Sequence, residues 1–79
     1  MRLEILTPKG KEFEGEADTL ILPTVLGQIS VLNNHAPLVS VLKPGKIKIR
    51  NKGKENSFDI EGGIVEVVKN AVVILLKRF

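Results

Sequence analysis

Few side chains in this sequence could do chemistry. His35 is the only histidine, Ser30, Ser40 and Ser57 are the only serines, and there is no cysteine. None of the serines sits in a Gly-x-Ser-x-Gly elbow, so no nucleophile–base pair can be assembled. One histidine cannot furnish a His-rich metal site. Glu12, Glu14 and Glu16 alternate along one strand face, without the partners that would bind a cation or split a carboxylate pair's pKa values. Gly62-Gly63 is followed by no helix start and no Gly-Lys-Ser/Thr, so it is not a phosphate loop. It reads instead as a bulge or a close approach of two backbones. The expectation is a protein that is not an enzyme and carries no cofactor. His35 has two readings, a pH-sensitive contact at a protein interface or a turn histidine bonded to the neighbouring backbone.

The elements that would position these residues centre on Gly27–Gly45. Two apolar strand-like runs, Ile29–Leu32 and Leu38–Leu42, flank Asn33-Asn34-His35-Ala36-Pro37. Asparagine tolerates left-handed backbone, and Pro37 pushes Ala36 toward extended geometry. Lys43-Pro44-Gly45 then has the proline and glycine of a type II turn. Asn33, Asn34, Pro37, Pro44 and Gly45 are therefore expected to set the shape of a bent polar loop between two buried strands. Such a loop suits recognition.

Elsewhere the period is two. Leu3 and Ile5 alternate with Arg2 and Glu4, and Phe13, Gly15 and Ala17 alternate with Glu12, Glu14 and Glu16. Thr19–Leu22 is a continuous aliphatic run that Pro23 is expected to end. Gly45–Asn51 alternates, Asn51–Lys54 reads as a hairpin turn, and Ser57–Ile60, Ile64–Val68 and Ala71–Leu76 follow. No stretch carries a helical stripe, and the valine and isoleucine of 64–76 disfavour helix. The pattern predicts one all-β domain over residues 1–79, a flattened sandwich or barrel of about nine to ten short antiparallel strands.

At this length folding buries only roughly 60% of the unfolded chain's surface, and no disulfide can help, so packing must hold the fold. Ile47, Ile49, Phe58, Ile60, Val65, Val67, Val72 and Ile74 are expected to line one side of the core. Leu3, Ile5, Phe13, Leu20, Leu22, Ile29 and Val31 would line the other. The second faces of the later strands carry Val68, Val73 and Leu75, and the 38–42 strand offers Leu38, Leu42, Val39 and Val41 on its two faces. This is more than one interior can hold, so some apolar surface is expected to be left for a partner.

The net charge is +3, with the basic residues concentrated between Lys43 and Lys54. Lys46-Ile47-Lys48-Ile49-Arg50 reads as a solvated strand face, and no aromatic is interleaved to stack on bases. A single-stranded nucleic-acid-binding β-domain is the alternative reading. A biotinyl or lipoyl carrier would need a flanked lysine that Lys52 lacks. Met1-Arg2-Leu3-Glu4 opens no signal peptide, and Ala71–Leu76 is too short to span a bilayer of ~30 Å.

Several segments together resemble one family, the epsilon subunit of F-type ATP synthase. They are Leu3–Pro8, Phe13–Asp18, Leu22-Pro23-Thr24, Gly27-Gln28-Ile29, Asn34–Leu38, Leu42–Gly45, Ile47–Arg50 and Gly62–Val67. The resemblance covers Arg2 to about Leu76. It implies a ten-stranded sandwich in the rotor's central stalk that binds the gamma subunit and the c-subunit ring and helps couple ion-driven rotation to ATP synthesis. By position, His35, Ser40 and Leu42 would face gamma, while Thr7, Pro8 and Gln28 would lie near the ring. The implied place is peripheral, on the cytoplasmic face of the bacterial inner membrane, held there only through the complex, with no nucleic acid. Relatives often have an acid where Gln28 stands; an exposed ion pair there would add at most about 1 kcal/mol. Most also continue into a helical hairpin, so with an end at Phe79 the expectation is coupling without autoinhibition or ATP sensing.

Overall fold

In the computed structural model, which describes residues 1–77, every regular element is a strand. They are β1 (Arg2–Thr7), β2 (Gly10–Glu16), β3 (Thr19–Thr24), β4 (Gly27–Leu32), β5 (His35–Leu42), β6 (Gly45–Asn51), β7 (Lys54–Ile60), β8 (Gly63–Lys69) and β9 (Ala71–Leu76). Phe79 lies outside the described residues.

The nine strands form one curled sheet in the order β2-β1-β9-β8-β5-β3-β6-β7, with β4 on the free side of β3. Its two halves, β2-β1-β9-β8-β5 and β4-β3-β6-β7, meet where β3 ends against β5. The Thr24–Leu42 pair marks that seam, tightened by Val25 N–H donating to Val41 O at 3.0 Å and Lys43 N–H to Pro23 O at 2.9 Å. On the opposite side the terminal strands β2 and β7 close the curl with side chains. Phe13 and Phe58 meet edge to face, ring centres 6.1 Å apart, an arrangement that suits the aromatic quadrupole.

Period-two alternation sends one set of side chains inward. Leu3, Ile5, Leu20, Leu22, Val31, Ile47, Val65 and Ile74 are fully buried, with Ile49, Ile60, Val67 and Val72 almost so. Phe13, Ile29, Leu38 and Phe58 pack against them. The expected core residues are thus in the core, but divided differently. Leu3 and Ile5 lie in the same half as Val72 and Ile74, because β1 pairs with β9 in parallel, Leu3 opposite Val72 and Ile5 opposite Ile74. This is the one parallel ladder in an otherwise antiparallel sheet. Met1, Ala17, Thr24 and Leu76 are also buried, beyond the expected set.

Five local expectations are corrected. Pro23 does not end β3, which runs to Thr24; its missing N–H costs nothing where only its carbonyl is needed, by Lys43. Gly45 is not the left-handed residue of a type II turn, since its φ is not in that region; it begins β6. A Cβ there would lie 3.0 Å from Pro23 Cβ, so any larger residue would need the proline ring to give way by a few tenths of an ångström. The bent loop is shorter than 33–37: only Asn33-Asn34 form the turn, and His35-Ala36-Pro37 belong to β5, whose register with β8 shifts between His35 and Leu38. Nor are both flanking strands buried, since Gln28, Ser30 and Leu32 of β4 are exposed. Finally, Glu12 leaves the face shared by Glu14 and Glu16, because Ile5 pairs with Phe13 and Leu6 with Lys11, making Glu12 the extra residue of a bulge.

Gly62-Gly63 is the close approach expected. A Cβ on Gly63 would fall 2.2 Å from the Leu75 carbonyl oxygen, and Gly62 has φ +126°. The 51–54 hairpin also forms, with Lys52 at φ 52° and Gly53 at φ 80°, the signs of a type I′ turn.

Candidate interaction surface

The registers sort the connections to two ends of the molecule. Thr7–Gly10, Thr24–Gly27, Leu42–Gly45 and Ile60–Gly63 lie at one end. Met1, Ala17-Asp18, Asn33-Asn34, Lys52-Gly53 and Asn70 lie at the other, tied by Asp18 N–H to Arg50 O and by Lys52 N–H to the Asp18 carboxylate.

Thr7, Pro8 and Gln28 therefore share the first end. Thr7 Oγ1 accepts from Lys9 N–H at 3.1 Å and shapes the β1–β2 turn around Pro8. Gln28 is exposed, opposite Pro23, just after a β3–β4 turn held by Thr24 Oγ1 donating to Gly27 O. At the tip of that turn Val25 is exposed and Leu26 is 93% exposed, an apolar cap that sequence periodicity did not point to, because a two-residue turn has no period.

His35, Ser40 and Leu42 are spread along β5, which runs from one end to the other, so they do not form one cluster. His35, at the second end, is half-buried and its Nδ1–H donates to Ala36 O at 2.7 Å. Ser40 is half-buried opposite Val65. Leu42 is only 3% exposed and belongs to the core, so its side chain has no surface to offer a partner; the strand's inward alternation puts it there.

Around Asn33 and Asn34 the second end is clamped by amides. Asn33 Oδ1 accepts from the Met1 nitrogen at 2.6 Å. Asn34, in the left-handed region at φ 63°, donates its N–H to Asn70 Oδ1 at 2.7 Å, and Asn70 Nδ2 returns a bond to Asn34 Oδ1 at 2.9 Å. Asn70 O also accepts from Arg2 N–H at 2.7 Å, so one residue joins the β4–β5 turn to the β8–β9 turn and β1.

Some of the charged residues are matched to each other across strands. Lys11 lies 2.9 Å from Glu4 and 3.0 Å from Glu14, and Arg2 also meets Glu14. Lys11 and Arg2 hold the Glu14 carboxyl below its usual range, and Glu4 with Glu14 raises Lys11. On β6 and β7, Lys46 pairs with Asp59 at 3.0 Å and Arg50 with Glu55 at 2.7 Å, which lowers Glu55. These cross-strand carboxylates neutralise part of the basic strand, the opposite of what a nucleic-acid stripe requires. Among the described residues no group of His, Cys, Asp or Glu could hold a metal, and no helix is long and apolar enough to cross a membrane.

Part of the exposed surface is apolar. Val39 (68% exposed), Val41, Ile64, Val68 and Leu75 all point outward from β5, β8 and β9; some apolar surface is thus left over as expected, with Ile64 added, Val73 half-buried and Leu42 in the core. The family model for the ATP synthase delta/epsilon chain beta-sandwich domain matches residues 1–79. The chain belongs to that family. It is 41% identical over 75 residues to the chloroplast ATP synthase epsilon chain of Tetradesmus obliquus, covering 95% of this chain and 55% of that one. Against the epsilon chain of Chlorobium limicola it is 40% identical over 75 residues, covering 94% and 85%. The chain thus spans about half the length of some relatives, including that of Tetradesmus, and most of that of Chlorobium. Its fold matches a chain of the Euglena gracilis mitochondrial ATP synthase with TM-score 0.88 at 25% identity, covering 94% of this chain and 48% of that one. A chain in the central stalk and c-ring structure from Tetrahymena thermophila matches with TM-score 0.80 at 26% identity, covering 98% and 63%.

Proposed function

We propose that this domain is a non-catalytic rotor subunit of F-type ATP synthase, which binds the gamma subunit and rests on the c-subunit ring so that ion-driven rotation reaches the catalytic head. The observation that carries this reading is family membership over the whole chain, together with the fold's match to a chain in a central stalk and c-ring assembly. The geometry supports it. Thr7, Pro8 and Gln28 occupy one end beside the apolar Val25-Leu26 tip, a footing for a ring. The outward faces of β5, β8 and β9 run from that end to the other, a flank for a shaft. The location that follows is peripheral to the membrane, through the complex.

The test is affinity capture of the tagged chain from its native membranes. Gamma and c-ring subunits are expected to co-purify in stable proportion. Recovery of neither, or recovery of single-stranded nucleic acid in their place, would overturn the reading.

A further inference from the structure

Among the described residues three strands, β2, β4 and β7, pair with one neighbour only, so each leaves a row of backbone N–H and C=O groups open. Two of these edges are guarded. β2 carries Lys11, Glu12, Glu14 and Glu16 and is bent by the bulge at Glu12, and β7 carries Lys54, Glu55 and Asp59. Charges and bulges of this kind keep an edge from pairing with another chain. β4 has neither. Gly27–Leu32 holds no charged residue and no proline, and its ladder with β3 runs without a register shift. Gln28, Ser30 and Leu32 are exposed along it.

Hydrogen-bond direction alternates along an antiparallel strand, which identifies the open groups. Pro23 C=O accepts from Lys43 N–H and Val25 N–H donates to Val41 O, so these two residues direct their backbone groups to the β5 side. Thr24, Leu22 and Leu20 therefore direct theirs to β4, where they meet Gly27, Ile29 and Val31. The N–H and C=O of Gln28, Ser30 and Leu32 point the other way, off the edge. An antiparallel second copy of β4, with Ser30 opposite its own counterpart and Gln28 opposite Leu32, would pair every one of these groups in both copies. The same register sets Ile29 against Val31 on the inner face and brings no like charges together. That is the self-complementarity a two-fold contact requires.

We infer that the free chain self-associates through β4 into a symmetric dimer, with one sheet continuous across the two-fold axis. The inference stands independently of the rotor function proposed above. Two six-residue strands bury less than the ~1,200 Å² of a standard interface, so the dimer should dissociate on dilution. The experiment is sedimentation equilibrium of the purified chain over a concentration series, in which wild type is expected to pass from monomer to dimer. Ser30→Lys places two ammonium groups together at the axis and should weaken association about tenfold, as should Ser30→Glu with two carboxylates. An equimolar mixture of these two variants should regain it, because unlike charges then meet. Ser30→Pro removes an N–H that the monomer leaves open, so it should abolish the dimer while circular dichroism shows the strands intact. Ser57→Lys, the same substitution on the guarded β7 edge, should leave association unchanged. A chain that stays monomeric at millimolar concentration would overturn the inference. So would a dimer indifferent to the Ser30 variants, or charged variants that dissociate but do not recover when mixed.

Discussion

Replacing Gly63 with alanine tests how tightly β8 and β9 are apposed. A Cβ there would lie 2.2 Å from Leu75 O and 3.1 Å from both Leu75 C and Leu76 Cα, all backbone atoms. A tolerable carbon–oxygen contact is about 3.3 Å, so β9 would have to retreat by about 1 Å. It cannot do so freely, because β9 is held between β8 and β1 by ladders on both sides. Overpacking of this kind costs about 3 kcal/mol. Against a total stability of about 4–12 kcal/mol for a chain this size, that is a large fraction. The melting temperature should fall by roughly 12–24 °C. Gly15→Ala is the matched control, since its Cβ would touch only the Phe13 ring at 3.4 Å, and it should shift stability by no more than about 0.5 kcal/mol. Urea unfolding followed by far-ultraviolet circular dichroism reads both. A Gly63→Ala variant as stable as Gly15→Ala would refute the close-approach argument.

Three further outcomes follow from other parts of the molecule. Asn70→Ala removes both amide bonds to Asn34 and should cost about 1–2 kcal/mol, with faster amide exchange at Asn34 while the β6–β7 hairpin stays protected. Glu14 and Glu55 are held below their ordinary value of 4.5, so the fold binds fewer protons than the unfolded chain in acid. Their contribution is complete above that value and is lost as pH falls through the lower folded values, so denaturation midpoints should drop in that window, less steeply in Glu14→Gln. Leu26→Ser, at a nearly fully exposed tip, should leave the melting temperature within about 2 °C yet weaken retention on c-ring vesicles, measured by co-sedimentation.

The strands were legible because alternation is local: each inward residue is two positions from the next, and Pro, Gly and Asn punctuate the runs. That some apolar surface is left over is legible by the same count, but which face of β5 supplies it depends on the strand's pairing with β8. What eluded the sequence is long-range. The parallel pairing of β1 with β9 joins residues some seventy positions apart, and it reassigned Leu3 and Ile5 to the half that holds Val72 and Ile74. Gly45 follows a Lys-Pro pair as a turn glycine would, and only its φ and the Pro23 ring packed beside it show that it opens a strand instead.

The role proposed for this chain is mechanical coupling. The most direct measurement is ATP-driven ion pumping by membrane complexes stripped of their epsilon chain, before and after this chain is added back. Restored pumping per ATP hydrolysed, with no ATP turnover by the chain alone, is the predicted result. Unchanged pumping despite saturating addition, or hydrolysis by the isolated chain, would contradict it.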